Sequence, residues 1–147
     1  MKHGANHGKI VIYTDGGSRG NPGPAALGVY FESLGKKYGG FLRETTNNVA
    51  EYEAIIFALK KAKQLIGKKN ADKTEIEIKS DSQLIVSQLN GKFKLKEKDL
   101  GKYFIEIWNL KQDFKKVFFS YIPREKNKIA DLLVNETLNL HTRKGLF

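Results

Sequence analysis

The chain reads as an α/β protein built on a five-stranded mixed sheet, three antiparallel strands first, with helices on both faces. Three observations predict it. A run of consecutive apolar residues, Ile10 to Tyr13, opens into glycines; two more strand-like stretches follow at hairpin spacing; and beyond Asn47 helical and strand periodicities alternate. A meander followed by alternating units calls for a sheet that is antiparallel on one side and parallel on the other.

Taken in order, Lys9 to Asp15 is the first strand, central because Ile10, Val11, Ile12 and Tyr13 leave it no polar face. The glycine-rich stretch Gly16 to Gly23 is expected to end it in a turn. Ala25 to Ser33 and Lys37 to Glu44 flank a turn near Leu34-Gly35 and form a hairpin. Asn48 to Ile66 repeats Ala50, Ala54, Ala58 and Ala62 at helical spacing and ends in lysines, which suit the negative end of a helix dipole. Thr74 to Ser80 alternates Ile76 and Ile78 with charged residues and is the fourth strand. Ser82 to Leu89 is a short helix closed by Asn90-Gly91, with Ser80 and Gln83 at capping-box spacing. Asp99 to Phe114 is a longer amphipathic helix carrying Leu100, Tyr103, Phe104, Ile107 and Phe114 on one stripe, and Trp108 at its edge is expected to anchor the core. Val117 to Ile122 is the fifth strand, Pro123 to Asn127 a loop, and Lys128 to Leu140 the last helix.

A chain of 147 residues, 40% hydrophobic, suffices for one domain with a single core, placed at residues 9–140. Residues 1–8 are expected to be a disordered lead-in and 141–147 a C-terminal tail, with monomer as the default state. The absence of cysteine excludes disulfides and thiolate metal sites. No early apolar segment and no membrane-length run is present, so a cytosolic protein without membrane association is expected. The excess of 26 Lys+Arg over 16 Asp+Glu points to a polyanionic partner, nucleic acid above all.

Against that basic background four carboxylates stand out. Asp15 closes the first strand, and sites in open α/β sheets gather at strand carboxyl ends, although a turn-capping Asp before glycine also fits. Glu51 shares a helix face with Ala54, Ile55, Ala58 and Ala62. An acid on a buried face needs a cation, hydrogen bonds or a proton. Dipole stabilisation, about 0.3–1 kcal/mol at an exposed helix start, is too small to hold it inward. Asp81 follows the fourth strand, and Asp131 lies in the first turn of the last helix, where the dipole alone also accounts for it. Carboxylate ligands suit Mg²⁺ or Mn²⁺. The loop from Gly16 and Gly17 through Ser18 to Asn21 offers small side chains and backbone N–H groups beside Asp15, so that a phosphate or sugar edge can approach.

Together, Thr14-Asp15-Gly16-Gly17-Ser18-Arg19-Gly20-Asn21-Pro22-Gly23-Pro24, Thr45-Thr46-Asn47-Asn48-Val49-Ala50-Glu51, Ser80-Asp81-Ser82-Gln83 and Asn127-Lys128-Ile129-Ala130-Asp131 resemble the motifs of type 1 ribonuclease H, in order, over about residues 9 to 140. The resemblance implies the ribonuclease H-like fold and endonucleolytic cleavage of the RNA strand of an RNA/DNA hybrid with two divalent ions, Mg²⁺ or in substitution Mn²⁺, leaving 5′-phosphate and 3′-hydroxyl ends. It places Asp15, Glu51, Asp81 and Asp131 as the metal-holding carboxylates, and Gly16, Gly17, Ser18, Asn21, Thr46, Asn47, Asn48 and Gln83 among the substrate contacts. Amide side chains read base edges and 2′-hydroxyls, the group that separates RNA from DNA.

The chain departs from the family twice. Many members carry a histidine in the loop before the last aspartate; here Tyr121 to Asn127 holds none, and Arg124 is the expected substitute, a fixed cation toward phosphate. The basic protrusion of some members is shortened to Asn90 through Lys98, where Lys92, Lys94 and Lys96 are expected to grip phosphates of the DNA strand. Two other classes fit less well: a catalytically silent nucleic-acid-binding module of the same fold gains nothing from four negative charges, and an integrase- or resolvase-like nuclease lacks a use for the Asn-rich Thr45 to Asn48 segment.

Overall fold

A computed structural model describes residues 8–92, 94 and 100–145, with side chains through Thr142. Strand β1, Lys9–Ser18, pairs antiparallel with β2, Gly23–Phe31, which pairs antiparallel with β3, Lys36–Thr45. On its other edge β1 pairs parallel with β4, Glu75–Ser80, and β4 with β5, Lys116–Tyr121. The order is β3-β2-β1-β4-β5, the mixed sheet that the meander and alternating units require.

Strand alternation divides this sheet into two unlike faces. Ile10, Ile12, Phe31, Ile76, Ile78 and Phe119 point one way and are buried under α1, Asn47–Ile66. The α1 residues Ala50, Ala54, Ile55, Ala58 and Ala62, the helix stripe read from the spacing of four, are all essentially inaccessible. Small side chains on that stripe let the helix lie close to the sheet. Inside this core Tyr52 donates its hydroxyl proton to Gln88 Oε1 at 2.6 Å, which satisfies two buried polar groups at once. The opposite face carries a smaller cluster, Ala26 with Val134 and Leu138, under α5, Lys128–Gly145. Between β3 and β5 run α2, Lys68–Ala71; α3, Gln83–Leu89; and α4, Gly101–Lys111. No helix among the described residues is long and apolar enough to cross a membrane.

The differences from expectation have local causes. Strand β1 does not end at Asp15; it runs to Ser18 because Gly16, Gly17 and Ser18 still pair with Leu27, Ala26 and Ala25. The cap of α3 is Ser82, whose Oγ accepts from the Ile85 N–H, while Ser80 accepts from the Ser82 N–H and takes no part in a capping box. Trp108 is 56% exposed rather than a core anchor; its neighbour Ile107, 1% exposed, is the α4 residue buried in the core. Helix α2 was not expected; α5 runs past Leu140 to Gly145, and within it His141 stacks on Phe41 with ring centroids 4.1 Å apart.

Candidate active site

Two glycines bring the acids together. A Cβ on Gly16 would collide with the Ala50 carbonyl, and one on Gly28 with the Ala130 carbonyl. Gly16 follows Asp15 and Ala50 precedes Glu51; Gly28 pairs across the sheet with Asp15, and Ala130 precedes Asp131. Bare backbone at both points lets α1 and α5 close on β1 from opposite faces, each delivering a carboxylate beside the same strand residue. Asp81 arrives from the carboxyl end of β4, adjacent to β1 in parallel register.

The result is a cluster in which Asp15, Glu51 and Asp81 each place an oxygen within 4.8 Å of the others. Asp131 stands outside that triad but lines the same cleft of about 350 Å³ as Asp15, Asp81 and Arg124. Burial, followed by repulsion from Glu51, Asp81 and Asp131, raises Asp15 from 3.8 to about 8. Burial and then Asp81 raise Glu51 to about 8, against hydrogen bonds from the Ser82 hydroxyl and the Gly16 N–H. Asp81 is also raised, mainly by burial, while Asn127 and Arg124 oppose the shift. Without a cation, the cluster therefore holds on to protons far above the usual carboxylate range. A cation that displaces those protons recovers a large electrostatic cost. Oxygen ligands alone, with neither sulfur nor imidazole among them, fit a hard divalent ion.

The remaining expected residues fall into three groups. Ser18, Asn21 and Asn47 form one network: Asn47 Oδ1 accepts from the Ser18 N–H at 2.8 Å, and Asn21 Oδ1 from the Asn47 N–H at 3.0 Å. The network ties the glycine-rich loop to the start of α1, which Thr46 caps by accepting from the Val49 N–H. Gly16, Gly17, Ser18 and Asn47 line the cleft beside the acids. Asn48 is half-buried and Gln83 exposed on the first turns of α1 and α3. Lys92 and Lys94 are exposed beyond α3; Lys96 lies outside the described residues.

Three further residues escaped the sequence reading as site residues. Asn127, 1% exposed, donates to the Thr14 carbonyl at 2.9 Å and hydrogen-bonds Asp81, so it joins β1, one residue before Asp15, to the end of β4. Asn135 donates to the Asp131 carbonyl and carboxylate at 3.0 and 3.3 Å. Arg19 reaches across the cleft to Asn139 Oδ1 at 2.6 Å. Only the i, i+4 spacing of Asp131 and Asn135 was a signal available in one dimension.

Comparison with known proteins follows the same lines. Residues 14–137 match the family model described as reverse transcriptase-like. A bifunctional protein of Mycobacterium tuberculosis is 36% identical over 138 residues, 89% of this chain but 36% of its own length. A ribonuclease HI of Halobacterium salinarum is 36% identical over 136 residues, 90% of this chain and 65% of its own. The chain thus spans about a third of the Mycobacterium relative. Among solved structures, LC11-RNase H1, isolated from compost, superposes with a TM-score of 0.82 at 45% identity, covering 91% of this chain and 98% of that one. LC11-RNase H1 has also been solved in complex with an RNA/DNA hybrid, with a TM-score of 0.80 at 47% identity over 86% of this chain and 94% of that one. Motif order, sheet order and the convergence of the acids agree with these matches, and the chain belongs to the type 1 ribonuclease H family.

Proposed function

We propose that the chain is an endoribonuclease that hydrolyses the RNA strand of RNA/DNA hybrids, with Asp15, Glu51, Asp81 and Asp131 holding two Mg²⁺ ions. The observation that carries this reading is the half-buried cluster of Asp15, Glu51 and Asp81, whose oxygens meet within 4.8 Å in a chain of net charge +10. A protein that only bound phosphate backbones would gain nothing from it. The hybrid bound by LC11-RNase H1 supports the substrate class.

When bound, paired divalent ions activate water and neutralise charge developing in an in-line displacement at phosphorus. The chain's own groups supply the rest. Asp15, whose carboxyl feels the charges of Glu51, Asp81 and Asp131 alike, would hold the ions together with them. Asn127 ties the Asp81 carboxylate to the β1 backbone at Thr14. Arg124, exposed at the rim of the cleft, presents a permanent cation to a backbone phosphate. Ser18, Asn21 and Asn47, already held by one another, give a preorganised polar edge for the nucleic-acid minor groove. Cleavage then leaves 5′-phosphate and 3′-hydroxyl ends.

The test is a panel of end-labelled duplexes incubated with the protein and Mg²⁺. Cleavage confined to the RNA strand of the hybrid, abolished by EDTA and restored by added Mg²⁺, is the expected result. Equal cleavage of duplex DNA, or cleavage indifferent to EDTA, contradicts the reading.

A further inference from the structure

The second face of the sheet is only partly covered by the described residues. Helix α5 lies over β2, β3 and the adjoining part of β1. On the same face, beyond that helix, sheet register lines up Lys37, Tyr30, Tyr13, Lys79 and Ser120 across all five strands. The next row is Val11, Glu77 and Phe118, and the last Lys9, Glu75 and Lys116. In place of the isoleucines that fill the covered face, these rows hold half-exposed aromatic rings flanked by lysines. Lys116 and Lys9 stand 4.5 and 5.9 Å from the Phe118 ring centroid, Lys79 5.3 Å from that of Tyr13, and Lys37 6.0 Å from that of Tyr30. Glu77 is spoken for: Lys9 pairs with it at 2.9 Å and Ser120 donates to it at 2.8 Å.

We propose that this open face is a platform for single-stranded nucleic acid, distinct from the cleft that holds the carboxylates. Rings spaced along a lysine-bearing sheet match the two requirements of a single strand: flat surfaces on which unpaired bases stack, and cations at phosphate reach. A duplex, whose bases are already stacked, has no use for the rings. The platform adjoins the cleft. Tyr13 lies two residues before Asp15 on the same side of β1, and Lys126 and Lys128, which border the groove beside Tyr13 and Tyr30, follow Arg124 in the chain. Glu32 and Glu125 share that groove, so a single-stranded extension of a bound hybrid is offered a path of mixed charge on which Lys126 and Lys128 supply the phosphate contacts. The choice of nucleic acid as occupant rests on the function proposed above.

The test measures fluorescence anisotropy of a labelled oligothymidylate with the full chain and with two variants, Lys79→Ala/Lys116→Ala and Phe118→Ala, alongside cleavage of a blunt hybrid. Removing two phosphate contacts is expected to lower the slope of log K against log salt by about 1.4. Removing the ring is expected to weaken binding about fivefold or more. Blunt-hybrid cleavage stays within about twofold in the lysine variant. The proposal is overturned by unchanged oligothymidylate binding in the lysine variant, by a parallel loss of blunt-hybrid cleavage, or by polyglutamate competing as well as unlabelled oligothymidylate. Lysine- and ring-dependent binding in a protein that fails to cut hybrids would leave the platform standing and remove the nuclease assignment instead.

Discussion

Replacing Asp15 by Asn should stabilise the ion-free protein while abolishing its activity. Asp15 is 9% exposed, and its carboxyl moves from 3.8 to about 8 on folding. Between those values the folded state binds more protons than the unfolded one, so stability is full below about pH 4 and declines as pH rises toward 8. Each pH unit in that window contributes about 1.4 kcal/mol, which bounds the cost of Asp15 at pH 7 to roughly 4 kcal/mol. Asn has the same shape and no charge to bury. Because part of the Asp15 shift comes from Glu51, the two costs are coupled and not additive, and a net gain of about 2 to 4 kcal/mol is expected. For a domain of this size that raises Tm by roughly 5–15 °C. The assay is thermal and urea unfolding in EDTA from pH 4 to 8. The gain should be largest at the alkaline end and vanish near pH 4. Saturating Mg²⁺ should stabilise the wild type, by about 2.7 kcal/mol at a hundred times its Kd, and the variant far less. An ion-free wild type that gains stability between pH 5 and 8, or a variant no more stable than wild type at pH 7, would refute the electrostatic account of the cluster.

Other consequences are as specific. Gly28→Ala forces its methyl into the Ala130 carbonyl, so it should cost about 1–3 kcal/mol of stability in urea unfolding and reduce cleavage by displacing Asp131; a variant with wild-type turnover would show that α5 does not set that carboxylate. Asn127→Ala removes the donor to the Thr14 carbonyl and should destabilise by about 1–3 kcal/mol, with lowered kcat at similar KM; a purely KM effect would count against a positioning role. Arg124→Ala should lower turnover about tenfold with the pH–rate profile unchanged in shape, since an arginine does not titrate in the working range. Loss of a titration step in that variant would show the role assigned to Arg124 to be wrong.

How much of this was legible in one dimension depended on the range of the interaction involved. The succession of strands and helices followed from local patterns, because the isoleucine alternation of β4 and the spacing of four alanines in α1 each declare a buried face by themselves. The acids were legible for the same reason: Glu51 sits on an alanine stripe where charge is costly, and the resemblance of the four motifs supplied their common purpose. What escaped was set by contacts distant in sequence. The extension of β1 to Ser18 depends on its partner β2, and the exposure of Trp108 on Ile107 being the α4 residue turned into the core. Asn127 became a site residue only once its amide was seen to span from Thr14 to Asp81. The lysine and aromatic rows of the open sheet face come from all five strands, and no run of sequence displays them together.

On the proposed mechanism Asp15, Glu51, Asp81 and Asp131 share divalent ions, which anomalous diffraction from crystals soaked in Mn²⁺ would locate. Density peaks bonded to Asp15 and flanked by Glu51, Asp81 and Asp131 are the predicted result, and they should disappear in the Asp15→Asn variant. Peaks found only at other surface carboxylates, with the cleft empty at saturating Mn²⁺, would contradict it.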